Sequence, residues 1–251
     1  MAEGAGSEPP LVREARRLID DGRARGLRLR ALGGTGVVMT IGDDSLLERL
    51  GRGPLNDVDL AGVSEDRRGY RRLFDDLGYD VDRALLVAAE GRRFAFQSRS
   101  RPSVHVDLFI DRFRMCHELD LRSRLELGTY ALPAADLLLQ KLQVVALTRK
   151  DLADAVALLL AGPALDLPYL AATLADDWGL HHTALITLGR VVEALPELGL
   201  SEAERAAVAG AADRLRATVE REPKTRRWRL RAAIGTRRRW YQEVSEDTET
   251  F

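Results

Sequence analysis

Cysteine, lysine and long apolar runs are all scarce in this chain. Cys116 is the only cysteine in 251 residues, which excludes an intrachain disulfide framework and a zinc site built from several thiolates, and suits a reducing compartment. The longest apolar stretches, such as residues 155–161, fall far short of the about 20 residues that span a bilayer. The N-terminus lacks a basic stretch leading into an apolar core, so it does not read as a signal peptide. We therefore expect a soluble, cytoplasmic protein with no membrane partner. A net charge of −1 leaves no global pull toward nucleic acid, so any such binding needs a local patch. The chain has 38 Lys+Arg residues, yet only Lys141, Lys150 and Lys224 are lysine. This reads as compositional bias toward arginine, although two of the three lysines share one helical segment. G-x-S-x-G and G-x-x-x-x-G-K-[ST] motifs are absent, which leaves serine-hydrolase and P-loop readings without support. The four histidines show no metal-ligand spacing, and Cys116 beside His117 is a poor nucleophile pair because adjacent residues rarely meet productively.

What is there divides into two halves. Residues 11–26 carry Leu11, Ala15, Leu18 and Ile19 at helical spacing. Residues 27–32 alternate leucine with arginine, a strand signal running into Gly33 and Gly34. Residues 35–41 predict a helix begun at that glycine turn. Residues 51–54 read as a loop, 56–63 as a strand, 66–78 as a helix, and 81–97 as two strands around a turn at Glu90 and Gly91. Residues 104–111 form the strongest strand pattern in the chain. Beyond Pro133 the pattern is helical, with a break near Arg149 and Lys150 and further helices at 167–178, 183–195 and 201–220. Ser201 followed by Glu204 spells a capping box. The expected class is α+β, with a mixed-sheet domain over residues 1–130 and a helical domain over 131–251; residues 1–10 read as a mobile tail.

Chemistry concentrates in the first half. Strand side chains alternate between faces, so Asp57 and Asp59 point one way while Val58 and Leu60 point into the opposite layer. Two carboxylates on one face repel, and burying them unpaired is costly; a divalent cation resolves both problems. In residues 104–111, Val104, Val106, Leu108 and Ile110 form one face and leave Asp107 in the middle of the other. If the two strands are neighbours, three carboxylates converge, the minimum for a two-metal site serving phosphoryl transfer. Gly33, Gly34 and Thr35 lie between strand and helix, where backbone N–H groups favour phosphate. Each element also has a plain structural reading: a strand end, a turn, an edge-strand acid. Their order is the stronger signal.

That order resembles the nucleotidyltransferase superfamily with the DNA polymerase β-like fold, over residues 28–112: a glycine pair, an acidic pair separated by one apolar residue, then a third acid on a later strand. The resemblance implies that Asp57, Asp59 and Asp107 bind magnesium or manganese, that Asp107 also aids deprotonation of the acceptor, and that Gly33, Gly34 and Thr35 contact the phosphates of an NTP donor. Residues 133–160 are similar to a segment of abortive-infection-type nucleotidyltransferases, in which a helical lysine precedes an Arg/Lys-Asp-x-x-Asp sequence. By that likeness Lys141 faces the nucleotide phosphates, with Lys150, Asp151 and Asp154 nearby. Two departures stand out. Gly34 occupies a position that is often serine, and the interval from Gly34 to Asp57 is long and contains what looks like a loop insertion at residues 51–54.

The expected function is magnesium-dependent transfer of a nucleoside monophosphate to a hydroxyl acceptor, such as an RNA 3′ end, a protein or a small molecule of the aminoglycoside kind. The alternative is a non-catalytic protein of the same fold, acting as a toxin–antitoxin partner or RNA-binding module. Residues 221–241 are strongly basic and interleaved with Trp228, Trp240 and Tyr241. They read either as an RNA-facing segment or as a terminal helix whose tryptophans anchor it while its arginines are solvated.

Overall fold

The computed structural model describes residues 8–162 and 164–243, so most of the expected tail at residues 1–10 lies outside the described residues. The chain divides into two compact units. One comprises the chain up to Asp44 with Pro54–Phe113 and Asp120–Pro133; the other comprises Ser45–Gly53, Arg114–Leu119 and everything from Ala134 onward.

The first unit opens with α1 (Pro10–Ala24), whose Val12, Ala15, Leu18 and Ile19 are buried at helical spacing. Next come β1 (Arg30–Ala31) and α2 (Gly33–Ile41). After α3 (Asp44–Arg49) follow β2 (Val58–Gly62), α4 (Arg67–Asp76), β3 (Tyr79–Val81), α5 (Arg83–Ala88), β4 (Arg93–Ser98) and β5 (His105–Ile110). Five strands form one sheet in the order β1-β2-β5-β4-β3. Strands β2 and β5 run parallel, and every other neighbouring pair is antiparallel. One face carries the core: Val58, Leu60, Val106, Leu108 and Ile110 from the central strands meet Leu18 and Ile19 of α1 and Tyr70, Leu73 and Phe74 of α4. Phe74 stacks on Phe96 with ring centres 3.9 Å apart. The alternation that buries these residues turns Asp59 and Asp107 to the other face.

Three local expectations change. The strand expected at residues 27–32 is cut to Arg30–Ala31, because side chains satisfy the backbone of Arg28: its N–H donates to Asp66 Oδ2 at 3.1 Å, and its carbonyl accepts from the Tyr70 hydroxyl at 2.6 Å. The two strands expected over 81–97 become β3, a helical turn and β4. Asp82 caps α5 by accepting from the Leu85 N–H at 2.9 Å. The left-handed pair Glu90 and Gly91 thus ends a helix instead of reversing a hairpin. The long interval before Asp57 contains α3, and its residues Ser45–Gly53, which take in most of the apparent insertion at 51–54, belong to the second unit, where Arg49 pairs with Glu204 at 2.9 Å and Arg52 with Asp154 at 2.9 Å.

A short ribbon of β6 (Arg112–Arg114) and β7 (Glu118–Asp120) follows β5. From Ala134 onward the second unit is helical: α6 (Ala134–Leu142), α7 (Arg149–Ala161), α8 (Leu167–Asp176), α9 (Trp178–Ala194), α10 (Glu202–Arg221) and α11 (Arg226–Ile234). The expected break falls just before Arg149, where Thr148 caps α7. The Ser201–Glu204 capping box is present on α10. In the basic segment, Trp240 donates through Nε1 to Thr183 Oγ1 at 3.0 Å, and Arg231 lies 4.8 Å over the Trp178 ring. The first contact comes from beyond α11 and the second from within it, and both reach α9. The mixed-sheet α/β part and the helical C-terminal part match the expected α+β class. None of the described helices is long and apolar enough to cross a membrane.

Candidate active site

The parallel register of β2 and β5 sets Asp59 directly opposite Asp107. Asp57 lies at the bend that leads into β2. Carboxylate oxygens of Asp57, Asp59 and Asp107 all come within 4.8 Å of one another. Asp107 is 5% exposed, while Asp57 and Asp59 are half-buried. Three like charges this close, partly shielded from water, are unfavourable without compensation. An all-oxygen donor set of this kind fits magnesium or manganese by ligand hardness.

Two residues of α2 build the wall behind the pair. Leu32 is extended, and its N–H donates to the Asp59 carbonyl at 3.0 Å. The chain then turns through Gly33 at φ +57°. A Cβ on Gly33 would collide with Asp59 Oδ2 and stand 3.0 Å from its Cγ. Glycine is therefore required twice: by a left-handed backbone and by a carboxylate packed against it. Thr35 is fully buried. Its hydroxyl donates to the Asp57 carbonyl at 3.2 Å and accepts from the Asp59 N–H at 3.3 Å, so it locks the first turn of α2 to the backbone that carries both acids. Gly34, half-buried, follows Gly33 in the same turn.

The compensating charge nearest Asp107 is Arg93 on β4, a residue that the sequence reading passed over. Ala95 sits opposite Asp107 in the β4–β5 register and Arg93 opposite Phe109, so Arg93 and Asp107 are diagonal neighbours on one face, within reach of a long side chain. Arg93 Nε donates to Asp107 Oδ1 at 3.1 Å and Nη2 to Oδ2 at 2.7 Å. Its guanidinium lies 5.2 Å from the Phe109 ring centre. Burial alone would lower the Arg93 pKa, but the Asp107 hydrogen bonds and the charges of Asp107, Asp59 and Asp57 outweigh it and raise it. The signal was present in the sequence: residues 93–97 alternate arginine and small or polar residues with Phe94 and Phe96, which puts Arg93 on the face away from the core.

Lys141 belongs to the helical unit, where it is 8% exposed. Its ammonium pairs with Asp151 and Asp154, both at 2.9 Å. Asp154 is fully buried and also accepts from Arg52 Nε at 2.9 Å, while Asp151 accepts from the Thr148 hydroxyl at 2.7 Å. Burial alone would lower the Lys141 pKa; Asp154 and Asp151 reverse that and hold the ammonium charged. The expected lysine and its Asp-x-x-Asp companions thus form one buried network.

No family model matches the sequence, and no curated protein matches it either. Among solved structures, the chain is similar to the solution structure of the antibiotic-resistance factor ANT(2'')-Ia, at 12% identity and a TM-score of 0.42, over 74% of this chain and 95% of that one.

Proposed function

We propose that this protein is a divalent-cation-dependent nucleotidyltransferase that moves a nucleoside monophosphate from an NTP to a hydroxyl acceptor and releases pyrophosphate. The observation that carries the reading is the in-register meeting of Asp59 with Asp107, with Asp57 beside them, against the glycine-led start of α2. In this reading Asp57, Asp59 and Asp107 hold magnesium or manganese, which when bound neutralises triphosphate charge and polarises the phosphorus centre. The protein's part is positioning, because phosphoryl transfer asks for little covalent chemistry from side chains. Thr35 fixes the spacing of Asp57 and Asp59 through their backbone. Gly33 lets the Asp59 carboxylate sit against the helix start. The backbone of Gly33, Gly34 and Thr35 presents the positive end of α2 to phosphate.

Thermal unfolding with each NTP, with and without magnesium, tests this reading on the wild type and on Asp57→Asn/Asp59→Asn. Binding to the folded state raises the midpoint. The expected result is a magnesium-dependent rise with at least one NTP that the double variant loses while still melting cooperatively. A rise that persists in the double variant would move the nucleotide away from these acids and overturn the assignment.

A further inference from the structure

The three acids are not left to themselves: β4 brings a fixed positive charge to one of them. Arg93 grips both oxygens of Asp107 in a two-pronged pair. Its side chain is 19% exposed and that of Asp107 7%, so water screens the pair poorly. A guanidinium does not deprotonate in proteins, so this charge is permanent. It takes a lone pair on each Asp107 oxygen, so it competes with a metal for that carboxylate, and as a neighbouring cation it repels a divalent ion.

We propose that Arg93 is the protein's own stand-in cation: it holds Asp107 until a divalent cation takes that carboxylate from it, and so sets how readily the site admits metal. The inference rests on the metal reading of Asp57, Asp59 and Asp107 given above. It makes cation entry a competition. Without nucleotide, Arg93 keeps Asp107 and the ion meets a site in which that acid is already paired. A triphosphate gives the guanidinium a replacement partner, since arginine pairs with phosphate oxygens as well as with carboxylate. Release of Asp107 is thereby tied to arrival of the nucleotide. Asp107 serves as a carboxylate ligand in both states and only its partner changes.

The test is nucleotide-free Mn2+ binding, followed by the electron paramagnetic resonance of the free ion, on the full chain as wild type, Arg93→Met, Arg93→Lys and Arg93→Met/Asp57→Asn/Asp59→Asn. Melting curves without metal establish that each variant folds. Arg93→Met keeps bulk and removes charge; it should bind Mn2+ at least ~10-fold tighter than wild type. Arg93→Lys supplies a single point charge without the fork, and should fall between the two. The triple variant should lose the gained binding, which locates it at these acids. A folded Arg93→Met that binds Mn2+ no tighter than wild type, while wild type does bind, overturns the role of Arg93 and leaves the metal reading standing. Absence of Mn2+ binding in wild type and in both single variants overturns both. Should Arg93→Met not fold, Arg93→Lys decides: tighter than wild type supports the competition, equal or weaker overturns it.

Discussion

Replacing Gly33 by alanine separates a glycine needed for the site from one needed only for a turn. Gly33 and Gly42 both have left-handed backbones, at φ +57° and +61°. They end up in different surroundings: a Cβ at Gly42 meets no heavy atom within 4 Å, whereas one at Gly33 runs into the Asp59 carboxylate. Gly42→Ala should therefore cost about 1 kcal/mol, the conformational penalty alone. Gly33→Ala adds displacement of a packed side chain, typically ~1–3 kcal/mol, for a total of about 2–4 kcal/mol. Asp59 must also move relative to Asp107, so the metal-dependent response to NTP should vanish in Gly33→Ala and survive in Gly42→Ala. Urea unfolding gives the stabilities, with an unchanged denaturant slope expected for both variants. If Gly33→Ala loses no more stability than Gly42→Ala, the carboxylate does not pack on that glycine and the account of the wall is wrong.

Other expectations follow from single contacts. Thr35→Val should lose about 1–2 kcal/mol by stranding the Asp57 carbonyl and the Asp59 N–H, and Thr35→Ser should recover most of it; equal losses in both variants would mean that the hydroxyl is not the tie. Lys141→Met should cost ~3–5 kcal/mol because it leaves buried Asp154 with less compensation, and a loss below 1 kcal/mol by calorimetry would contradict the network. Acid should weaken the fold in two windows. Burial lowers the His117 pKa to about 4 from its usual 6.5, so the unfolded chain takes up that proton first and stability falls as pH drops from 6.5 toward 4. Glu14 is also lowered, to about 2 from 4.5: burial would raise it, but Arg17, Tyr79 and Arg101 outweigh burial, so its contribution is present above pH 4.5 and is lost on the way to 2. The His117 window is worth up to ~3 kcal/mol; His117→Gln should flatten the stability profile between pH 6.5 and 4, and an unchanged slope would refute the assignment.

The carboxylates were the most legible part of the sequence, because strand alternation alone turns Asp57, Asp59 and Asp107 away from Val58, Leu60, Val106 and Leu108. The glycine turn was visible, but its reason was not: that Asp59 packs on Gly33, or that Thr35 spans the backbone of Asp57 and Asp59, depends on which segments meet. Arg93 was hidden for the same reason. Its face could be read from Phe94 and Phe96, yet its pairing with Asp107 follows from the β4–β5 register, which no local pattern encodes. Residues 83–88 were misread because an apolar run of that length suits strand or helix alike, and the Asp82 cap decides between them. Residues 51–54 looked like a plain loop insertion because the side chain that anchors Arg52, Asp154, lies more than a hundred residues away in sequence.

The central claim is tested most directly by transfer itself. The protein would be incubated with magnesium, each α-phosphate-labelled NTP, and separate pools of RNA, protein and small hydroxyl compounds, with Asp57→Asn/Asp59→Asn as the control. The account predicts label in one pool and pyrophosphate in equal amount, both dependent on magnesium and absent from the control. Nucleotide binding that requires these acids, with no label moved to any pool and no pyrophosphate formed, would contradict it and identify a non-catalytic nucleotide-binding protein.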